Sequence, residues 1–378
     1  MKILVFSDWF IPGAQAGGPI QSLLALAENI PHTFYVVTRN TDHGSHTVYS
    51  QVKSNAWNYE FELPNLNVYY LAEGDVNKTI FEQLWDEVNP DFVYLNSLWS
   101  PLFTQLPLRI AKHRNETNKV ICAPRGMLKP EALKIKKTKK RLFLFLARFT
   151  RLYKGITWHA TSALEAEEIE TYFGSGRIHV ARNLSRISTE ELPKPNKRSG
   201  ELKLLTVARI SEEKGILEAA EFLSTYPTNE TIDWKIVGFI QDPELAKTCL
   251  ELLEGTRVNI EFLGHLDTPS IRKEYSKSHI FYLPTRGENY GHAIAEALAG
   301  GMPVLISNRT PWRNLKNAQV GADLPLEEKP FHDALTSYHF MDEETWLQHC
   351  RNARTFAIKH VNSQEILAEN LRLFESKT

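Results

Sequence analysis

The stretch 284-PTRGENYGHAIAEALAGGMPVL-305 carries the topology of the chain. Just ahead of it, 279-HIFYLP-284 is an unbroken apolar run, the pattern of a strand buried on both faces. Residues 291–300, GHAIAEALAG, repeat apolar side chains at helical spacing, and Gly300-Gly301-Met302-Pro303 stops that helix. A second strand follows at 303-PVLIS-307. Strand, helix, strand is a unit of parallel sheet. TRGENY is then a strand-to-helix loop at the carboxyl edge of the sheet, where open parallel sheets bind ligands.

The same alternation runs outward in both directions. Upstream lie strands 202-LKLLTVA-208, 234-WKIVGF-239 and 258-VNIEFLG-264, separated by helical patterns at 214–224, 243–254 and 268–277. Residues 184–201, LSRISTEELPKPNKRSGE, are polar with two prolines and read as a connector. Before them a first set of strands appears: 2-KILVFS-7, 34-FYVVT-38, 67-NVYYL-71, 91-DFVYLN-96, 119-KVICA-123 and 156-ITWHAT-161. Helical patterns at 20–30 and 78–88 lie between them, and 341–359 and 363–376 close the chain. The expected architecture is α/β: two doubly wound Rossmann-like domains with parallel sheets, facing each other across a deep cleft. The expected bounds are 1–184, a linker at 185–201, and 202–362.

Composition narrows the class. The 378 residues exceed what one core usually serves. A net charge of -1 implies no general attraction to nucleic acid. Cys122, Cys249 and Cys350 are widely spaced and fit no metal-ligand pattern, which suggests reduced thiols in a cytoplasm. MKILVFSDWF reads as a buried strand rather than a signal peptide, and LFLFLA at 142–147 is far too short to span a bilayer. Gly-x-Ser-x-Gly, Cys-x-x-Cys and His-Glu-x-x-His are absent, which removes support for hydrolase, redox and zinc chemistry. No Asp-x-Asp is present to hold a divalent metal.

Three stretches carry candidate chemistry. In the first, the amides near Gly291, His292 and Ala293 form the positive end of a helix, suited to phosphate. Glu288 precedes that helix and Glu296 sits more than a turn inside it, so the two could grip one ligand on either side of its phosphates. One acidic residue favouring the helix dipole and one solvated helix glutamate would give the same pair. In the second, 205-LTVARISEEKGILEAAEFL-223, Arg209 leaves a strand end and Lys214 opens the next helix; both could face phosphate. Glu212 and Glu213 beside them equally fit a charged surface loop. In the third, 8-DWFIPGAQAGGPIQSLL-24, Gly17-Gly18 permits close backbone approach, although no dinucleotide fingerprint is present.

Taken together, Gly17-Gly18, Arg209, Lys214 and ENYGHAIAEALAGGMPV resemble glycosyltransferase family 4, in order and spacing over nearly the whole chain. Members are retaining, nucleotide-sugar-dependent enzymes of GT-B fold. The resemblance implies that Glu288 contacts the donor sugar and Glu296 the ribose hydroxyls, as the two acids of a Glu-x7-Glu motif. It implies that Arg209 and Lys214 neutralise the diphosphate, and that Asn289, Tyr290, Gly291 and His292 donate backbone amides to diphosphate and sugar. Gly17 and Gly18 would face the donor, and Gly264, His265 and Leu266 would touch the base. Glu288, Arg209 and Lys214 are thus the expected catalytic set, with no metal and no cofactor beyond a donor substrate built on UDP or GDP. Front-face attack is implied, with the leaving phosphate oxygen helping to take the acceptor's proton. A C-terminal helix, about 363–378, would cross back onto the first domain. Two departures stand out. Many relatives carry a histidine where 93-VYLNSLWSP-101 has Asn96, which can bond a sugar hydroxyl but cannot act as a base. Relatives also often show Asn-Gly at the end of the first domain, where this chain has 183-NLS-185.

The expected acceptor is a glycan, lipid-linked at the inner membrane face, as in assembly of cell-surface polysaccharide or lipopolysaccharide. Residues 134-KIKKTKKRLFLFLARFTRLYK-154 suggest the contact: nine cations, no acid, and interleaved apolar residues. Lys136, Lys137, Lys139, Lys140 and Arg141 are the candidate residues for a peripheral membrane or acceptor contact. A core helix with a solvated basic face, or a site for an anionic sugar, fits the same run. No nucleic-acid module accompanies it. In the preceding 124-PRGMLKPEAL-133, Arg125 is a candidate to face the cleft. The competing functional classes are a non-catalytic membrane-associated scaffold of this fold, and an epimerase or phosphorylase built on it.

Overall fold

The computed structural model describes residues 1–13, 15, 17–61, 63–129, 132–133, 137–188 and 190–375. They form two compact units: Met1–Leu184 with the chain from Gln364 on, and Ser185–Ser363.

The strands of the first unit are β1 (Lys2–Phe6), β2 (Thr33–Arg39), β3 (Trp57–Asn58), β4 (Leu66–Leu71), β5 (Phe92–Leu95), β6 (Val120–Cys122), β7 (Thr157–Ala160) and β8 (Arg177–Val180). They lie in the order β3-β4-β2-β1-β5-β6-β7-β8, parallel except for the edge strand β3. Side chains alternate across β1, as a pleated strand requires. Ile3 and Val5 share a core with Leu23 of α1 (Gly18–Asn29) and with Phe374 near the chain end. Leu4 and Phe6 face the other layer. There they meet Phe81 and Trp85 of α2 (Lys78–Val88), Leu108 of α3 (Leu106–His113), Leu144 of α4 (Lys137–Phe149) and Ile169 of α5 (Ala163–Phe173). Burial on both faces is why these strands read as unbroken apolar runs.

The second unit repeats the plan with β9 (Leu202–Val207), β10 (Ile232–Val237), β11 (Val258–Gly264), β12 (Ile280–Leu283), β13 (Val304–Ser307) and β14 (Gly321–Leu324). Their order is β11-β10-β9-β12-β13-β14, all parallel. The helices are α6 (Ile216–Ser224), α7 (Pro243–Leu253), α8 (Thr268–Tyr275), α9 (His292–Ala299), α10 (Glu328–His339) and α11 (Glu343–His360). After them α12 (Gln364–Arg372) rejoins the first unit, where Ile366, Leu373 and Phe374 are buried. Its position is held by Glu369, whose carboxylate accepts from Arg182 Nη2 at 2.6 Å and Arg182 N at 3.0 Å.

The polar stretch 185–201 is grouped with the second unit. Leu192 is buried beside Met302, and Lys194 Nζ donates to the carbonyl of Gly300. Lys197 Nζ donates to His339 O at 3.1 Å and Arg198 O at 2.7 Å. Its polar side chains satisfy helix-end carbonyls, so its composition disguises a packed segment. Three strands escaped the sequence reading: β3, β8 and β14. β3 has two residues, and β8, RIHV, shows no fully buried position. β14 is GADL, which lacks an apolar run.

All three cysteines are buried and unpaired. Burial pushes the Cys249 and Cys350 thiols up to about 12, so they are inert at neutral pH. Among the described residues no helix is long and apolar enough to cross a membrane.

Candidate functional site

In the second sheet β10 and β12 flank β9 on opposite sides, so the loops leaving β9 and β12 part at a topological switch point. The two loops are locked together at a glycine. Gly215 has a φ of +67°, and a Cβ there would lie 1.9 Å from the carbonyl oxygen of Pro284. Thr285 Oγ1 donates to Glu213 O at 3.0 Å, and Arg286 N donates to the same carbonyl at 3.1 Å. Ser307 Oγ, on β13, donates to Thr285 O at 2.5 Å. Arg286 pairs with Glu212 and Glu218 across the junction. The loop after β10 comes equally close: a Cβ on Gly238 would lie 1.9 Å from Ala208 O.

This junction carries the predicted cations. Lys214 Nζ lies 2.6 Å from Glu288 Oε1, and both side chains are largely buried. A pair separated by 74 residues in sequence is thus brought into contact by two adjacent loops. Arg209 pairs with Glu213 at 2.7 Å and donates to Gln241 Oε1 at 3.3 Å. Of the two neighbouring acids, Glu213 pairs with Arg209, as the surface-loop reading required, while Glu212 pairs with Arg286. Yet the Arg209 pair is open to solvent and contributes only about 0–1 kcal/mol, so an anionic ligand could displace Glu213 at little cost.

Gly291 heads α9 in the left-handed conformation, with φ 82° and ψ 64°. The first bonds of the helix run from Ile294 and Ala295 to Gly291 O, so the amides of His292 and Ala293 lie outside the helix ladder. Trp312 Nε1 donates to Tyr290 O at 2.6 Å and holds the loop at this angle. Glu288 N is tied to Arg309 O at 3.1 Å. His292 Nδ1 lies 3.2 Å from Ser185 Oγ, which engages its ring within the unit. Glu296 is half-buried on α9. Burial pushes its carboxyl up to about 7, and the Arg186 guanidinium pulls the other way. At the end of β11, Gly264 has a φ of +67° and accepts from Gly238 N at 2.8 Å, while His265 is exposed and Leu266 packs on the α9 side of the sheet. Arg286, Thr285 and Trp312 were not singled out from sequence. Arg286 lies inside the quoted loop, but nothing local marks it as the bridge to Glu212 and Glu218.

In the first unit Gly17 caps α1 with a φ of 65°, and Gly18 opens the helix. Asn96, a candidate sugar contact, is buried with both ends of its amide engaged. Its Nδ2 donates to Pro19 O at 3.1 Å and its Oδ1 accepts from Arg125 Nε at 3.0 Å. Arg125, a candidate to face the cleft, is engaged in the same network: Nη2 donates to Tyr94 Oη at 2.8 Å and Nη1 to Asn183 Oδ1 at 2.5 Å. These two residues brace the segment that leads into α1, because their polar atoms find partners in the sheet. Of the basic candidates, Lys137, Lys139 and Arg141 are exposed on α4. Lys140 turns inward, with Nζ donating to Ala132 O at 2.6 Å and lying 5.4 Å from the Trp99 ring. Lys136 and Lys134 lie outside the described residues.

Known proteins share this fold. A family model described as Glycosyl transferases group 1 matches residues 188–317, the part of the chain that holds the junction. Solved structures share the fold over its full length. Sucrose-phosphate synthase from Thermosynechococcus elongatus is 16% identical, with a TM-score of 0.72 over 99% of this chain and 98% of its own. HepE of Anabaena in complex with UDP-glucose is 16% identical, with a TM-score of 0.70 over 100% of both chains. WaaG, a glycosyltransferase involved in lipopolysaccharide biosynthesis, is 13% identical, with a TM-score of 0.64 over 100% of both. No curated protein matches in sequence. The fold is therefore GT-B.

Proposed function

We propose that the protein is a retaining glycosyltransferase of family 4 that moves a sugar from a nucleoside-diphosphate donor to a glycan. One observation carries this reading: the contact between Lys214 and Glu288, made at the switch point beside the amino end of α9. A cation, a carboxylate and helix amides within one junction suit a ligand that has phosphate and sugar hydroxyls side by side. In this reading Ser185–Ser363 holds the donor. Arg209, Lys214 and the amides of α9 stabilise the diphosphate as negative charge grows on it, without requiring a metal. Glu288 accepts from the sugar hydroxyls and Glu296 from the ribose diol. The first unit presents the acceptor. The anomeric carbon loses its bond to the phosphate oxygen and gains one to the acceptor oxygen on the same face. The acceptor's proton passes to the departing phosphate. The neighbours in complex with UDP and UDP-glucose favour uracil as the base. The acceptor in this reading is a lipid-linked glycan in the assembly of surface polysaccharide, which is in keeping with a neighbour involved in lipopolysaccharide biosynthesis.

Calorimetric titration with UDP, GDP, ADP and CDP tests the donor site, with Glu296→Ala as the control. One nucleotide binding at micromolar affinity, lost in the variant, supports the reading. Absence of binding to folded protein overturns it. A scaffold without turnover would bind nucleotide but show no donor-dependent transfer lost in Glu288→Ala. An epimerase would act on the nucleotide sugar without an acceptor, and a phosphorylase would need free phosphate.

A further inference from the structure

The helix α4 carries apolar side chains on its outer face as well as on its inner one. Leu144 and Ala147 are buried against the first unit, but four large apolar side chains point outward. Leu142 is 58% exposed, Phe145 67%, Leu146 46% and Phe149 79%. Their spacing of three, four and seven residues places them in one stripe along the helix. The Phe145 and Phe149 rings stack along that stripe at 6.5 Å. At 100° per residue, Lys139 borders the stripe on one side and Arg141 and Arg148 border it on the other. Beyond the helix, Arg151 and Lys154 are exposed as well. No acidic residue occurs from 134 to 154, although the whole chain carries a net charge of -1.

The helix is also held firmly. Tyr153 Oη donates to Leu98 O at 2.8 Å, and Lys112 Nζ caps Arg151 O at 2.6 Å. On the inner side Phe143 packs edge-on against Trp99 at 5.3 Å. The outward stripe is thus a fixed feature of the surface. A contiguous exposed apolar stripe marks a contact site, and a rim of cations on both sides of it selects an anionic partner. Thirteen residues make a helix about 20 Å long, too short to span a bilayer but suited to lying along its surface.

We propose that α4 docks on anionic lipid, with Leu142, Phe145, Leu146 and Phe149 entering the headgroup boundary and Lys139, Arg141 and Arg148 contacting lipid phosphates. This deepens the transferase reading by naming the surface on which its acceptor would lie. The lipid contact is measured without turnover, so its failure and the failure of the transferase reading are distinguishable.

The test is cosedimentation of the full chain with phosphatidylcholine vesicles, with and without phosphatidylglycerol. The expected result is binding only to the anionic vesicles, weakened by high salt. Phe145→Ser combined with Phe149→Ser should lower vesicle partition about tenfold or more. Lys139→Glu combined with Arg148→Glu should lower it by a similar factor. All four positions are exposed, so melting temperature and nucleotide binding should stay unchanged in both variants. Failure of the wild type to bind anionic vesicles overturns the proposal, as does full binding by the double serine variant. If light scattering instead shows a dimer that the serine variant dissociates, with no vesicle binding, the stripe is a contact between two copies and the proposal falls.

Discussion

Lys214 and Arg209 are both cations paired with glutamates, yet they should behave differently on removal. Lys214→Ala takes a 2.6 Å cation away from a largely buried carboxylate, whereas Arg209→Ala releases a carboxylate to solvent. Thermal melts should therefore show a clear drop for Lys214→Ala and almost none for Arg209→Ala. If the two cations stabilise the leaving diphosphate, each variant should lose about a hundredfold or more in turnover. Glu296 makes a prediction that depends on pH. Its carboxyl titrates near 7 when folded, against an ordinary 4.5. The stability carried by the protonated form is full below 4.5 and disappears as pH rises through 7. Relative to Glu296→Gln, the wild type should lose on the order of 1–2 kcal/mol over that window, partial exposure making the effect smaller than full burial would. Binding has the opposite slope. If Glu296 holds the ribose diol, the ionised carboxylate is the stronger acceptor, so affinity for a nucleotide sugar should rise up to about tenfold from pH 6 to pH 8. In Glu296→Gln that slope should vanish. A flat profile in the wild type would remove the ribose role.

At the scale of elements, the junction depends on backbone approach. Gly215→Ala would push a methyl group into the Pro284 carbonyl, while Gly255, also at positive φ, meets nothing within 4 Å. Gly255→Ala should cost about 1 kcal/mol, the price of the left-handed conformation alone. Gly215→Ala should cost several times that and abolish nucleotide binding, because the loops after β9 and β12 can no longer meet. Equal melting temperatures for the two variants would show that the contact is dispensable. In the first unit Glu165 has a comparable task. Its buried carboxylate accepts from Gly126 N at 2.5 Å and from Thr161 N and Oγ1 at 2.7 and 2.6 Å. Glu165→Ala would remove the acceptor that these buried groups share and should destabilise by about 3 kcal/mol in denaturant titration. Much of the element layout was legible beforehand. β12 (IFYL) and β13 (VLIS) are short runs buried at every position, while β10 (IDWKIV) alternates buried and half-buried side chains, and both patterns read as strand. β8 and β14 were not legible, because an edge or a short strand buries too few side chains to leave a pattern.

For the molecule as a whole, the last helix matters most. Ile366, Leu373 and Phe374 fill one face of the first sheet, although the rest of that unit ends at Leu184. Ending the chain after Ser363 should expose that face and lower the stability of the first unit by about 5 kcal/mol or more. Differential scanning calorimetry should then show an early transition for the first unit and a second one little changed. A single unshifted transition would mean that α12 is an accessory.

The sequence by itself determined the class of fold and singled out the loops that meet at the junction. Apolar periodicity is local, and Glu288, Glu296, Arg209 and Lys214 each stand in a local strand-to-helix context. Tertiary structure alone decided how those residues are used. It set Lys214 against Glu288, tied Arg209 to Glu213, and engaged Asn96 and Arg125 within the first unit. It also turned Lys140 inward and left Phe145 and Phe149 in solvent. The reason is physical. A hydrogen bond or ion pair depends on distances between segments far apart in the chain, and a helical stripe of Leu and Phe looks the same in sequence whether a core or a solvent lies beside it.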